Sequence, residues 1–131
     1  LCAASRLTRD ALRLAEKKKQ AGDKLGETLH DAGTLIAAAR AGDIECTEAW
    51  NRYLDDLSNA LVSLINILDP EIIAVGGGVS GAGDFLIVPL NERVAKGSFF
   101  KKPTPVVKAL LGNDAGIAGA ALFGAETAPH R

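Results

Sequence analysis

Methionine is absent from this 131-residue sequence, and tryptophan and tyrosine occur once each. Aromatic residues make up only 5% against a hydrophobic share of 47%. A core must therefore be assembled from Leu, Ile, Val and many Ala, which suits closely packed helices on a sheet. Cysteine is scarce: Cys2 and Cys46 stand far apart in unlike contexts. That excludes the disulfide framework of a small secreted domain, and both are read as reduced thiols of a cytoplasmic protein. An excess of one charge is also lacking, with 15 basic and 16 acidic residues for a net charge of −1. Nothing in that balance argues for direct contact with nucleic acid. No apolar run reaches the roughly 18 residues of a membrane span, and no secretory signal is visible. Asn66, Asp69 and Glu71 interrupt the longest apolar stretches. The sequence opens on Leu1 with a helix starting almost at once, which raises the expectation of a piece of a longer protein.

Periodicity divides what is present. Ser5 or Thr8 is expected to cap a first helix running to about Gln20, with Leu7, Ala11, Leu14 and Ala15 inward. Lys17-Lys18-Lys19 reads as its solvated end. Residues 21–30 are polar and glycine-containing, so a loop or broken turn is predicted. Asp31 caps a short helix carrying Ala32, Leu35, Ile36 and Ala39, and Gly42 stops it. Asp43 opens the longest helix, about 44–68, with an apolar stripe from Ala49, Trp50, Tyr53 and Leu54 through Leu57, Leu61, Leu64, Ile65 and Leu68. Pro70 cannot continue it and pushes Asp69 out of the right-handed helical region. A strand at 71–75, a helix at 84–96 containing Pro89, a strand at 106–110 and a helix at 114–125 complete the chain. Two such βα units imply parallel strands with a right-handed crossover. Two parallel strands are too few for a covered sheet, so further strands are expected from elsewhere.

The densest chemical signal is Ile72-Ile73-Ala74-Val75-Gly76-Gly77-Gly78-Val79-Ser80. A β-branched strand runs directly into three glycines, whose bare backbone admits close approach of a flat or phosphorylated ligand. In open α/β sheets ligands bind just beyond such strand ends. Ser80 adds a hydroxyl. No Gly-Lys-Ser/Thr follows, which excludes a P-loop, and the spacing is not the dinucleotide fingerprint. Gly112-Asn113-Asp114 ends the second strand in the same way, with Asp114 as a helix cap, and is expected to line the same crevice. His30 and His130 have no acid or cysteine at ligand spacing, so no metal site is read. Asp55-Asp56 and Glu71 read as solvated or capping, Cys46 as a small structural residue, and no general base stands out.

With both turns placed, a family resemblance emerges. Asn66 to Ser80 resembles the N-x-x-x-P-x-x-I-x-x-G-G-G-V-S segment of the ROK family of sugar kinases and repressors. Leu111 to Ala121 is similar to that family's closing segment, and Ala38 to Asp43 to its A-x-x-G-D helix junction. Cys2-Ala3-Ala4-Ser5 resembles the stretch after its zinc-binding cysteines. The resemblance implies an α/β fold: the carboxyl-terminal lobe of an actin-like, ribonuclease-H-like ATPase. It would comprise a helical segment 1–69, a βαβα segment 70–126 and a tail 127–131.

It further implies an ATP-dependent hexose kinase of glucokinase type, in which Gly76, Gly77, Gly78, Val79 and Ser80 contact the adenosine part of ATP, joined by Gly112 and Asn113. Mg²⁺ would accompany ATP, and a structural zinc would lie upstream. The family's phosphate loops, catalytic Asp, sugar-binding residues and zinc cysteines have no counterpart here, so the 131 residues alone are expected to be inactive. Two alternatives stay open. One is the sugar-sensing lobe of a ROK transcriptional repressor. The other is a non-catalytic dimerisation lobe, with Trp50, Tyr53 and Leu57 of the long helix on a homodimer face.

Overall fold

The computed structural model of the chain describes residues 4–100 and 102–110. Five helices and two strands follow in the order α1 (Ala4–Gln20), α2 (Leu25–Thr28), α3 (Ala32–Arg40), α4 (Ile44–Leu68), β1 (Ile73–Val75), α5 (Asp84–Gly97) and β2 (Val106–Lys108). A turn of 3-10 helix, Gly78–Ala82, links β1 to α5. The expected helix 114–125 and the tail lie outside the described residues.

Local chemistry sets most boundaries. Asp31 caps α3 by accepting from the Thr34 amide at 2.7 Å, while the Thr34 hydroxyl accepts from the Asp31 amide at 3.0 Å, a reciprocal capping box. Asp43 caps α4 by accepting from the Cys46 amide at 2.9 Å. Asp69 ends α4 in the left-handed conformation (φ 43°), relieving its clash with Pro70. Ser5 and Thr8, expected as caps, both lie inside α1. The predicted loop at 21–30 contains the single turn α2, held under α1 by Gly26. A Cβ there would stand 2.6 Å from the Lys19 amide nitrogen, so only glycine fits.

The core is built by one stripe from each helix. Leu7, Ala11 and Ala15 of α1 and Leu35, Ile36 and Ala39 of α3 pack on Cys46, Ala49, Trp50 and Leu54 of α4. Leu86, Leu90 and Val94 of α5 cover the next stretch of α4, down to Leu61 and Ile65. Trp50 stacks between Tyr53 and Phe85, with ring centroids 5.6 Å and 5.5 Å away. Trp50 and Tyr53 are thus interior residues, which removes them from any dimer face. The expected inward positions Leu64 and Leu68 are instead exposed, Leu68 by 67%. Length explains this. At 25 residues α4 runs roughly 37 Å. The parallel helix α5 ends at Gly97, whose Cα side meets Val62. Beyond that point the Phe99 amide donates to the Asn66 side-chain oxygen at 3.1 Å, while Leu64 and Leu68 stay exposed.

Ion pairs correct one further expectation. Lys18 is not a solvated helix end but is buried, only 7% exposed. Its ammonium lies 2.8 Å from Asp43, 3.2 Å from Asp23 and 3.3 Å from Glu45, clamping the end of α1 to the start of α4. Asp55 and Asp56 keep solvent-exposed side chains, as read, while pairing with Arg93 (2.8 Å) and Arg6 respectively. The hydrogen bond to Asp43, opposed by burial and reinforced by Asp23 and Glu45, holds the Lys18 pKa above its ordinary 10.5. Burial pushes Asp43 up, but Lys18 and the Cys46 amide outweigh it and hold its carboxyl below 3.8. Asp23 is held low by the Leu25 amide and then Lys18, and Glu45 by Lys17 and then Lys18.

These shifts define the pH window of the clamp. Lys18 contributes fully below pH 10.5 and loses its contribution as pH climbs through the raised value. Asp43 and Asp23 contribute above 3.8 and Glu45 above 4.5, and each contribution fades as pH falls through the lowered values. Lys18→Met is expected to cost about 2–3 kcal/mol in urea unfolding at pH 7, because Asp43 is left partly buried without its cation. The difference from wild type should narrow as the three carboxylates protonate. An equal loss at every pH would refute the clamp.

Candidate functional site

β1 and β2 pair in parallel, with Ile73 opposite Val106 and Val75 opposite Lys108. The Ile73 amide donates to the Pro105 carbonyl at 3.0 Å, and the Ala109 amide donates to the Val75 carbonyl at 2.9 Å. Both strands therefore release the chain at the same edge of the sheet. Gly76, Gly77 and Gly78 leave β1 there, all exposed. Gly112 and Asn113, predicted to join them, lie outside the described residues.

Of the five candidates on the turn, the structure separates three from two. Gly77 has φ 81° and ψ −176°, a region that residues with a side chain avoid. Val79 is buried in the core. Ser80 is 2% exposed, and its hydroxyl donates to the Gly77 carbonyl at 2.6 Å, with the Ser80 amide donating to the same oxygen at 3.1 Å. The single hydroxyl proton is committed to holding the turn, so Ser80 does not present it outward. What the turn exposes is the bare backbone of Gly76 to Gly78.

The space around that backbone is open. A Cβ placed at Gly78 or Gly81 would meet nothing within 4 Å, and neither residue has a positive φ. At Gly26 and Gly97, by contrast, the chain's own atoms at 2.6 Å and 2.9 Å demand glycine. Among the described residues, then, neither strain nor crowding accounts for glycine at 78 and 81.

A cleft of about 860 Å³ lies between the start of α4 and the start of α5, lined by Arg40, Trp50, Asn51, Ala82, Asp84 and Phe85 among others. Ala82, the last residue of the 3-10 turn, reaches it, whereas none of Gly76 to Ser80 lines it. The Arg40 guanidinium lies 5.2 Å from the Phe85 ring centroid, and its Nη2 donates to the Ala82 carbonyl at 2.9 Å. One cation thus joins the end of α3 to the end of the glycine turn and forms a polar corner in an apolar wall. Pro89 lacks the amide that would bond to the Phe85 carbonyl in the helix, which leaves that oxygen free of its usual helical partner. In sequence Arg40 is one position of the 38–43 helix junction, and Phe85 carries no motif. Their meeting spans 45 positions of chain, and periodicity carries no signal for it.

Other candidates recede. Cys46 is free and buried, and burial foremost, with Asp43 adding, pushes its thiol up to about 12, so it stays protonated and unreactive at neutral pH. The His30 ring is exposed, with Nδ1 2.7 Å from the Thr28 carbonyl. Among the described residues no group of three or more His, Cys, Asp or Glu could hold a metal ion. None of their helices is long and apolar enough to cross a membrane.

Comparison with known proteins places this geometry. The family model described as "ROK family" matches residues 7–126. The chain belongs to the ROK family. It is 42% identical over 93 residues to a glucokinase of Thermotoga maritima, an alignment covering 70% of this chain and 29% of that protein. It is 31% identical over 92 residues to an N-acetyl-D-glucosamine kinase of Aliivibrio salmonicida, covering 68% and 30%. Among solved structures, a ROK family glucokinase from Streptomyces griseus in complex with glucose and AMPPNP superposes with a TM-score of 0.78 at 26% identity, over 95% of this chain and 43% of that one. The ROK chain described here thus spans less than a third of these two curated relatives' length and has the architecture of part of an actin-like ATPase fold.

The two central glycines of the turn should respond differently to substitution. Gly77→Ala is expected to cost about 1–3 kcal/mol in urea unfolding, because φ 81° with an extended ψ strains any Cβ. Gly78→Ala should lie within about 0.5 kcal/mol of wild type, having open space and ordinary φ. Equal losses would contradict the turn geometry.

Proposed function

We propose that this chain is the carboxyl-terminal portion of a cytoplasmic, ATP-dependent hexose kinase of glucokinase type and supplies the adenosine side of its nucleotide cleft. The observation that carries the reading is the open, exposed glycine backbone at the carboxyl end of a parallel strand, followed by a 3-10 turn whose last residue, Ala82, lines an apolar cleft with a polar corner. Sugar kinases among the relatives support the class of reaction, and the AMPPNP in the Streptomyces griseus complex supports the nucleotide.

In this reading the helical segment, residues 1–69, forms one wall of the cleft through Arg40 and Trp50. The βαβα segment, 70–126, forms the floor through Gly76, Gly77 and Gly78. The bare amides admit the ribose and phosphate side at contact distance, which a Cβ would block. The apolar wall beside Phe85 takes the flat base and excludes water. Val79 and Ser80 keep the turn in place from below, and Gly112 and Asn113, outside the described residues, are assigned to the same nucleotide side. Bound ATP supplies the phosphoryl group to be transferred. The hexose, Mg²⁺ and a structural zinc are assigned to parts of the complete enzyme other than the described residues. Phosphoryl transfer is mostly positioning and charge stabilisation, and orientation of the nucleotide is the share given to this chain.

In the complete enzyme, Gly78→Leu should raise KM for ATP roughly tenfold or more while leaving KM for glucose nearly unchanged, since the new side chain fills only the nucleotide side. Steady-state kinetics with each substrate varied in turn decides it. An unchanged KM for ATP would remove the glycine turn from the cleft. The 131 residues alone should show no glucose phosphorylation with ATP, and measurable turnover would contradict the division of labour.

A further inference from the structure

The crossover helix α5 does something unusual with Asn91. Its side-chain Nδ2 donates to the Val106 carbonyl at 2.7 Å and to the Ile87 carbonyl at 2.9 Å, while Oδ1 accepts from the Val106 amide at 2.9 Å. Both donors and the acceptor of the carboxamide are thereby engaged. The donor and acceptor ends are fixed by their partners, since a backbone amide can only donate and a backbone carbonyl only accept. Val106 itself is 1% exposed.

The pairing to β1 runs through the alternate residues. Pro105 accepts from Ile73, and Ala109 donates to Val75. The amide and carbonyl of Val106 point away from β1, toward an edge where another strand would otherwise bind. Asn91 occupies that edge as a one-residue substitute for a strand. A sheet edge left open invites pairing with other chains, and here the outward groups of Val106 are taken.

A three-residue parallel pair is weak by itself and can slip in register. A slip would displace Ala109 from Val75, the residue directly before Gly76. We propose that Asn91 is a positioning residue for the nucleotide cleft: by clasping the outer edge of β2 at Val106 it fixes the register of β2 on β1 and so the departure point of the glycine turn. This rests on the nucleotide reading given above, and it adds a residue that acts through Val106, 15 positions along the chain, with no contact to the ligand.

The test uses the complete enzyme with Asn91→Ala, and Asn91→Asp as a second variant that keeps the acceptor for the Val106 amide but sets a carboxylate oxygen against the Val106 and Ile87 carbonyls. Gly26→Ala serves as a control that destabilises the fold far from the cleft. Three readouts are needed: amide hydrogen exchange at Val106 and Ala109, affinity for AMPPNP, and KM for ATP against KM for the sugar. Asn91→Ala should speed exchange at both amides, weaken AMPPNP binding and raise KM for ATP by roughly three- to tenfold, leaving KM for the sugar unchanged. Asn91→Asp should act in the same direction, because its carboxylate repels the Val106 carbonyl, and serves alone if Asn91→Ala does not fold. Gly26→Ala should lower Tm without the KM split. If the Asn91 variants lower Tm and change AMPPNP affinity no more than Gly26→Ala does, the role is merely structural and the proposal fails. If wild type binds no AMPPNP, the nucleotide reading fails and the cleft role with it, while exchange at Ala109 still reports separately whether the clasp sets the register.

Discussion

Parallel register between β1 and β2 is the constraint on which the rest of the site depends. Because Ile73 faces Val106 and Val75 faces Lys108, both strands end at one edge, and whatever follows them starts from neighbouring points. Six strand residues cannot hold that geometry unaided. They are braced by Val106 buried against α5, by the Ala109 to Val75 hydrogen bond at the exit, and by the Asn91 carboxamide at the outer edge. The Gly76 to Gly78 backbone is a surface of defined position because of this bracing, with Val79 and Ser80 anchoring its far end.

The helical layer provides the second wall. α4 runs through it as the common spine, with α1 and α3 packed along its first half and α5 running parallel beside it. The stack of Arg40, Phe85, Trp50 and Tyr53 crosses from the end of α3 to the interior of α4, so the cleft wall is continuous with the core. Lys18 fixes the other end of the layer by satisfying three carboxylates near the α4 N-terminus. A buried ammonium without those partners would carry a large desolvation cost. Uncovered apolar side chains gather where described elements stop: Ile67, Leu68, Ile72 and Phe99 surround the far end of α4 and the start of β1.

Much of this was legible in sequence, for identifiable reasons. Helix spans at 32–40 and 44–68 were readable because Asp31, Asp43, Gly42 and Pro70 punctuate strong three-and-four periodicity, and local signals of that kind act within a few residues. The strand and glycine turn were readable because β-branched residues beside three glycines leave few alternatives. What sequence could not carry were contacts between distant positions. Lys18 reads as one of three exposed lysines until Asp43 and Glu45 are folded onto it. Leu64 and Leu68 continue the stripe, yet α5 ends before reaching them. Ser80 looks like a ligand hydroxyl, but the 3-10 turn directs its proton back to Gly77. Asn91 carries no motif at all, and only the placement of β2 against α5 gives its carboxamide a backbone to clasp.

Chemical-shift mapping of backbone amides while AMPPNP is titrated into the protein tests the central claim most directly. Saturable shifts confined to Gly76 through Asp84, together with Arg40 and its neighbours at the start of α4, are the result predicted for a nucleotide seated on the glycine backbone and in the adjoining cleft. Saturable shifts elsewhere, for instance along the groove between α1 and α4, with the glycine amides unmoved, would contradict it.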